Sequence, residues 1–129
     1  MPSGPSRSTS IQTGDRAALA DYLVRCYGNL DEPDHELGAR LAFELGSVER
    51  LRDRTLYQDM HRHQVAVVAA WCVEHGRPER DAQQIARDAV LTARGIQWGY
   101  LLDRDVDAAA AALDRLARRL ADEADRTDS

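Results

Sequence analysis

The stretch Pro78–Ala124, PERDAQQIARDAVLTARGIQWGYLLDRDVDAAAAALDRLARRLADEA, decides the fold. It predicts two helices joined at the corner Asp103-Arg104-Asp105. Pro78 suits the first helical position, where its missing N–H costs nothing. Glu79 and Asp81 place negative charge on the first turn, where the helix dipole favours it. Small and apolar residues recur at Ala82, Ile85, Ala86, Ala89, Val90, Ala93, Ile96 and Leu101, which is helical spacing. Asp103 or Asp105 caps the second helix. That helix carries Val106, Ala109, Leu113, Leu116 and Leu120 at steps of three and four, close to a heptad seam.

Both helices are rich in alanine, so their backbones can approach closely. Large apolar residues are too few elsewhere to cover both seams. The pair is therefore expected to pack on a second copy as a four-helix bundle. The same residues also permit a hairpin inside a monomeric bundle.

Upstream, the chain predicts three more helices. Asp15 caps a first one carrying Ala18, Leu19, Tyr22, Leu23, Cys26 and Tyr27, and Gly28 ends it in a left-handed conformation. After the turn at Pro33, Leu37, Leu41, Leu45 and Val48 form one face of a second, with Ala42 and Phe43 beside it. Gly38 and Gly46 weaken this helix, each by up to ~1 kcal/mol. They mark close approach, room beside a ligand, or tolerated surface positions. Arg50, Arg52 and Arg54 alternate with Glu49 and Asp53 and read as a solvated face. Thr55-Leu56-Tyr57-Gln58 fits a capping box opening a long helix that Gly76 and Pro78 stop. On that helix Leu56, Met60, Val67 and Ala70 form an apolar row. Tyr57, His61, Gln64, Val68, Trp71 and His75 form the next row, where polar groups interrupt an apolar stripe. Residues 1–14 are rich in breakers without periodicity and predict a disordered tail, leaving one domain over 15–125.

The stretch Ala86–Leu120, with Gly95 leading into Leu101-Leu102-Asp103, an acidic corner and an Ala/Leu-rich helix, resembles the last two helices of the C-terminal domain of tetracycline-repressor (TetR) family regulators. Leu41–Gly76 is similar to that family's preceding helices, and the resemblance spans roughly Ala17 to Ala124. It implies a domain that dimerises through its last two helices and holds a small apolar or amphipathic effector between the upstream ones. On that reading Ile96, Tyr100, Ala109, Leu113 and Leu116 lie at the dimer interface. Family members begin with a helix-turn-helix of about fifty residues. Only sixteen residues precede Ala17, so DNA binding is not carried over.

Composition narrows the function further. Net charge is −5, against a nucleic-acid surface, which needs clustered positive charge. All seventeen basic residues are arginine, which excludes a lysine Schiff base and a phosphate-loop lysine. No apolar run reaches the ~18 residues of a membrane span. Cys26 and Cys72 are far apart in sequence and read as small buried hydrophobes, which fits a reducing cytoplasm.

A few polar groups in an apolar cleft are what a small-molecule site looks like. Tyr57, His61, Gln64 and Val68 are the candidate lining, with Trp98 facing the same pocket and Gln97 and Tyr100 facing the partner chain. The alternatives are that Tyr57, His61 and Gln64 sit partly exposed at the bundle edge and that Gln97, Trp98 and Tyr100 are ordinary packing. Asp59 and His63 offer two metal ligands with no third, so a surface Asp–His hydrogen bond is expected and no metal or other cofactor is assigned. No nucleophile elbow, phosphate loop or His-Glu-x-x-His is present. The resulting expectation is an all-α bundle of about five or six helices that is TetR C-terminal-domain-like. It binds a small apolar or aromatic ligand, forms a homodimer and contacts neither nucleic acid nor membrane directly. It would act by sequestering a ligand or by pairing with a full-length relative. A small enzyme using the same cavity, and a fragment of a full-length repressor, are the alternatives.

Overall fold

The computed structural model describes residues 16–52 and 54–125. The expected tail and the Asp15 cap lie outside them. In order, the described residues form α1 (Arg16–Tyr27), α2 (Pro33–Gly46), a 3-10 turn (Glu49–Arg52), α3 (Leu56–Glu74), α4 (Glu79–Asp103) and α5 (Val106–Asp125), with no strand among them. The all-α bundle read from periodicity is thus what the chain forms.

The α4–α5 corner uses both aspartates. Arg104 adopts a left-handed φ of 59°, and its N–H donates to the Tyr100 carbonyl at 2.7 Å. Asp103 accepts from the Asp105 N–H at 2.9 Å, and Asp105 caps α5 by accepting from the Ala108 N–H at 3.0 Å. Pro78 stands just before α4 rather than inside it. At the end of α1 the left-handed residue is Asn29, φ 52°, and not Gly28. The Gly28 N–H donates to Val24 at 2.8 Å. A Cβ at Gly28 would lie 3.2 Å from Leu113 Cδ1 and 3.0 Å from the Val24 carbonyl oxygen. Gly28 is therefore there for the close approach of α5 to α1.

The main core lies where α1, α3, α4 and α5 meet. Leu19, Tyr22, Leu23 and Tyr27 of α1 are buried with Leu113, Leu116 and Leu120 of α5 and with the alanine face of α4. Each leucine so buried contributes ~1.5–3 kcal/mol. The α5 seam is therefore closed from within one chain. The alanine face of α4 lets α1 come close enough to supply the large side chains.

Two helices turn the opposite face inward from the one their leucines suggest. On α2 the leucine row points out, with Leu37 45% and Leu45 46% exposed, and Ala39 is the buried residue. On α3, Val67 is buried while Leu56, Met60 and Ala70 are exposed. The mixed row faces the core instead. Val68 and Trp71 are buried, and Tyr57, His61, Gln64 and His75 are half-buried. Among the described residues no helix is long and apolar enough to cross a membrane.

Candidate functional site

Helix α2 is tied down at both ends and stands off in the middle. Near its start, His35 Nδ1 donates to the Gly28 carbonyl at 3.1 Å, and Glu36 pairs with Arg104 of the α4–α5 corner. Beyond its end, the buried Glu49 carboxylate accepts the Tyr57 N–H at 2.9 Å and the Gln58 N–H at 2.7 Å. Glu49 thus caps α3, and the expected capping box does not form. The Thr55 hydroxyl donates to Asp59 at 3.1 Å instead. Asp59 also pairs with Arg62 at 3.8 Å, so its carboxylate is engaged without the exposed His63. No group of three His, Cys, Asp or Glu among the described residues could hold a metal ion.

Between these ties α2 presents small residues, Gly38, Ala39, Ala42 and Gly46, toward α3 and α4. Nothing lies within 4 Å of where a Gly38 Cβ would be. Two hollows lie beneath the helix and a third lies beyond its C-terminal end. The first, about 280 Å³, is lined by Cys26, Gly38, Ala39, Ala42, Met60, Gln64, Arg94 and Gln97 among others. The second, about 240 Å³, is lined by Ala42, Phe43, Gly46, Glu49, Tyr57, Gln58, His61 and Arg94. The third, about 510 Å³, is an apolar dish at the surface bordered by Leu45, Val48, Leu56 and Tyr57 with Glu49, Arg52 and Arg54. The first two share Ala42 and Arg94, and the last two share Glu49 and Tyr57. Neighbouring hollows thus share walls along α2, and this row of hollows is the trench. Each of the first two falls just short of the ~300 Å³ at which ligand pockets begin. A groove of about 200 Å³ between α4 and α5, edged by Asp88, Arg119 and Glu123, has no comparable buried polar group.

The trench also gathers the polar interior of the molecule. Among the described residues, Glu49 (7% exposed) and Gln97 (3%) are the buried side chains of polar or charged type, and both line it. Arg94 lies between them. It donates to Gln97 Oε1 at 3.1 Å and to Gln64 Oε1 at 2.8 Å, and its guanidinium sits 5.2 Å from the centre of the Tyr27 ring. The Tyr27 hydroxyl donates to the same Gln64 oxygen at 2.8 Å. Burial pushes the Tyr27 phenol upward while Arg94 pulls it back. Burial, then the charges of Arg94 and Arg87, hold the His61 imidazole below its usual range.

Of the five residues expected to contact a ligand, Tyr57, His61 and Gln64 line this trench. Val68 is completely buried in the core, and Trp98 is 50% exposed on the outer face of α4, its ring 5.3 Å from that of Phe43. Gln97, expected to face a partner chain, is buried beside the first hollow, and Trp98, expected in the pocket, is exposed. Gln97 falls in register with the buried Ala86, Val90, Ala93 and Tyr100, and Trp98 lies about 100° further round the helix. Of the residues expected at a dimer interface, Tyr100, Ala109, Leu113 and Leu116 are buried inside the single chain and Ile96 is half-buried. Sequence reasoning missed Arg94 and Glu49. Arg94 flanks the buried stripe of α4, a signal that was there to be read. The burial of Glu49, inside a mixed-charge run, carries none.

No protein-family model, curated protein or solved structure matches the chain.

Proposed function

We propose that this chain is an effector-binding and dimerisation module of the tetracycline-repressor type. Its ligand site is the trench beneath α2. The observation that carries the reading is the polar cluster itself. Tyr57, His61, Gln64, Arg94 and Gln97 line two neighbouring cavities that share Arg94. A few polar groups set in an apolar hollow are the ordinary makeup of a small-molecule site. The helix order and the acidic corner after Leu101-Leu102 support the family reading, and two free cysteines fit a reducing compartment.

The second copy meets the outward face of α4. Leu91, Trp98 and Leu102 are exposed there at steps of seven and four, with exposed Gly95 between Leu91 and Trp98. In an antiparallel crossing about a two-fold axis, Trp98 of one copy lies over Gly95 of the other and Leu91 meets Leu102. Light scattering at micromolar concentration is expected to give a dimer for the natural chain and a monomer for Trp98→Glu. A natural chain that is monomeric removes the dimerisation half of the proposal.

For the ligand half, a thermal-shift screen of small amphipathic and aromatic compounds is expected to yield hits. A compound at about a hundredfold over its Kd raises stability by ~2.7 kcal/mol. Replacing His61 or Gln64 by leucine changes which compounds score. Hits indifferent to both replacements place the site elsewhere.

A further inference from the structure

The trench reading leaves the charge of its ligand open, and the surroundings of Arg94 decide it. We propose that the trench takes a small monocarboxylate with a short apolar body, whose carboxylate pairs with the Arg94 guanidinium. This inference rests on the trench being a ligand site.

Arg94 is half-buried, and its side-chain partners, Gln64, Gln97 and the Tyr27 ring, are all neutral. Among the described residues no carboxylate lies within 4.0 Å of it. A cation withdrawn from water without a counter-charge is costly, so an anion arriving there gains what the chain itself leaves unmatched. The two glutamine oxygens engage two of five guanidinium N–H donors. They fix the group's orientation and leave donors for a ligand. Both cavities border this one group, so a head group on Arg94 can place its apolar body in either.

The two acidic side chains of these cavities do not compete for Arg94. Glu49 is engaged by the Tyr57 and Gln58 N–H groups, and Asp34 is exposed. A single guanidinium fork matches the two oxygens of a carboxylate. A dianionic phosphate would place its second charge in a cavity that Glu49 also borders, and the further titratable bases lining the two cavities are the half-buried His61 of one and His35 of the other, which already bonds the Gly28 carbonyl. The chain's own residues therefore favour the monoanion. Gly38, Ala39, Ala42 and Met60 leave room for aliphatic carbon.

The test is titration calorimetry on the full chain with octanoate, its uncharged counterpart octanamide, and octyl phosphate. Octanoate is expected to bind ~10-fold or more tightly than octanamide, the size of one charge-assisted pair, and more tightly than octyl phosphate. Arg94→Met is expected to abolish the preference for octanoate while changing octanamide binding less than ~3-fold. In the unmutated chain, octanoate and not octanamide is expected to raise the pKa of the His61 imidazole followed by NMR. That readout does not depend on any variant folding. Equal affinity for acid and amide overturns the carboxylate assignment and leaves the trench as a ligand site. So does a preference that survives Arg94→Met, a tighter octyl phosphate, or an unmoved His61. Failure of all three compounds to bind overturns this inference, whereas the trench itself falls only if the wider screen gives no hit sensitive to His61 or Gln64.

Discussion

The two sides of this bundle are built on different terms. Where α1 meets α4 and α5, the large side chains of α1 and the leucines of α5 pack on the alanine face of α4. Leu19, Leu23, Tyr27 and Leu113 are almost entirely buried, and Gly28 lets the backbones close up. Where α2 lies over α3 and α4, the helix contributes one buried residue, Ala39. It is fastened at its ends by Glu36–Arg104, by His35 and by the turn that carries Glu49. The first side holds the molecule together. The second keeps cavities and an unmatched cation. A stable scaffold beside a loosely packed element is the arrangement expected of a protein that must admit something, because binding elements come from the low-stability end of a fold.

The sharpest way to break this contrast is to delete the same atoms on each side. Leu23→Ala is expected to cost ~2–5 kcal/mol, the range for a fully buried leucine. Leu37→Ala, on the outward face of α2, is expected to cost no more than ~0.5 kcal/mol. Urea denaturation reads both. Similar losses from the two would mean that α2 is part of the core after all.

Glycine replacements sharpen the contrast at a smaller scale. Gly28→Ala pushes a methyl group against Leu113 and the Val24 carbonyl and is expected to destabilise by ~1–3 kcal/mol. Gly38→Ala meets nothing within 4 Å. It is expected to stabilise α2 by ~0.5–1 kcal/mol while weakening whatever binds in the first hollow, which Gly38 lines. Thermal unfolding gives both signs. A destabilising Gly38→Ala would show the trench to be closed in solution.

The smallest effect is one of pH. The folded chain holds the His61 pKa below its ordinary 6.5, so it favours the neutral ring. The unfolded chain takes up that proton more readily on acidification. The contribution is therefore complete above pH 6.5 and is lost as the pH falls toward and through the folded value. His61→Gln is expected to lose less stability than the natural chain between about pH 7.5 and about pH 5.5. The difference is modest because the ring is only half-buried and solvent screens it. Equal losses in the two chains would show that neither burial nor the charges of Arg94 and Arg87 depress His61 in the folded chain.

Much of the helix architecture was legible in the residues. Gly76 stops α3 with φ 98°, and the aspartate corner separates α4 from α5 as their side chains suggest. What could not be read was the inward face of α2 and of α3. Leucine weighs more than glycine or alanine in any periodic pattern, yet the choice of face depends on what the other helices already fill. Here α2 lies on α3 and α4 with Ala39 inward, beside Leu30 and Tyr100. For the same reason, nothing in α5 announces that α1 covers Leu113 and Leu116 within one chain. Of the site, the Tyr57, His61 and Gln64 row was visible as polarity inside an apolar stripe. Glu49 was not, because a carboxylate that caps a helix several residues further on looks like any charge in a mixed run.

Native-state hydrogen exchange tests the central claim, that the loosely held side is the binding side, most directly. Amides of α2 are expected to exchange through local opening at a free energy well below that of global unfolding, while amides of α1, α4 and α5 exchange only with the whole. A ligand found in the screen should slow exchange in α2 and in the first turns of α3 more than anywhere else. Exchange of α2 at the global rate, or ligand protection confined to α1 and α5, would contradict the account.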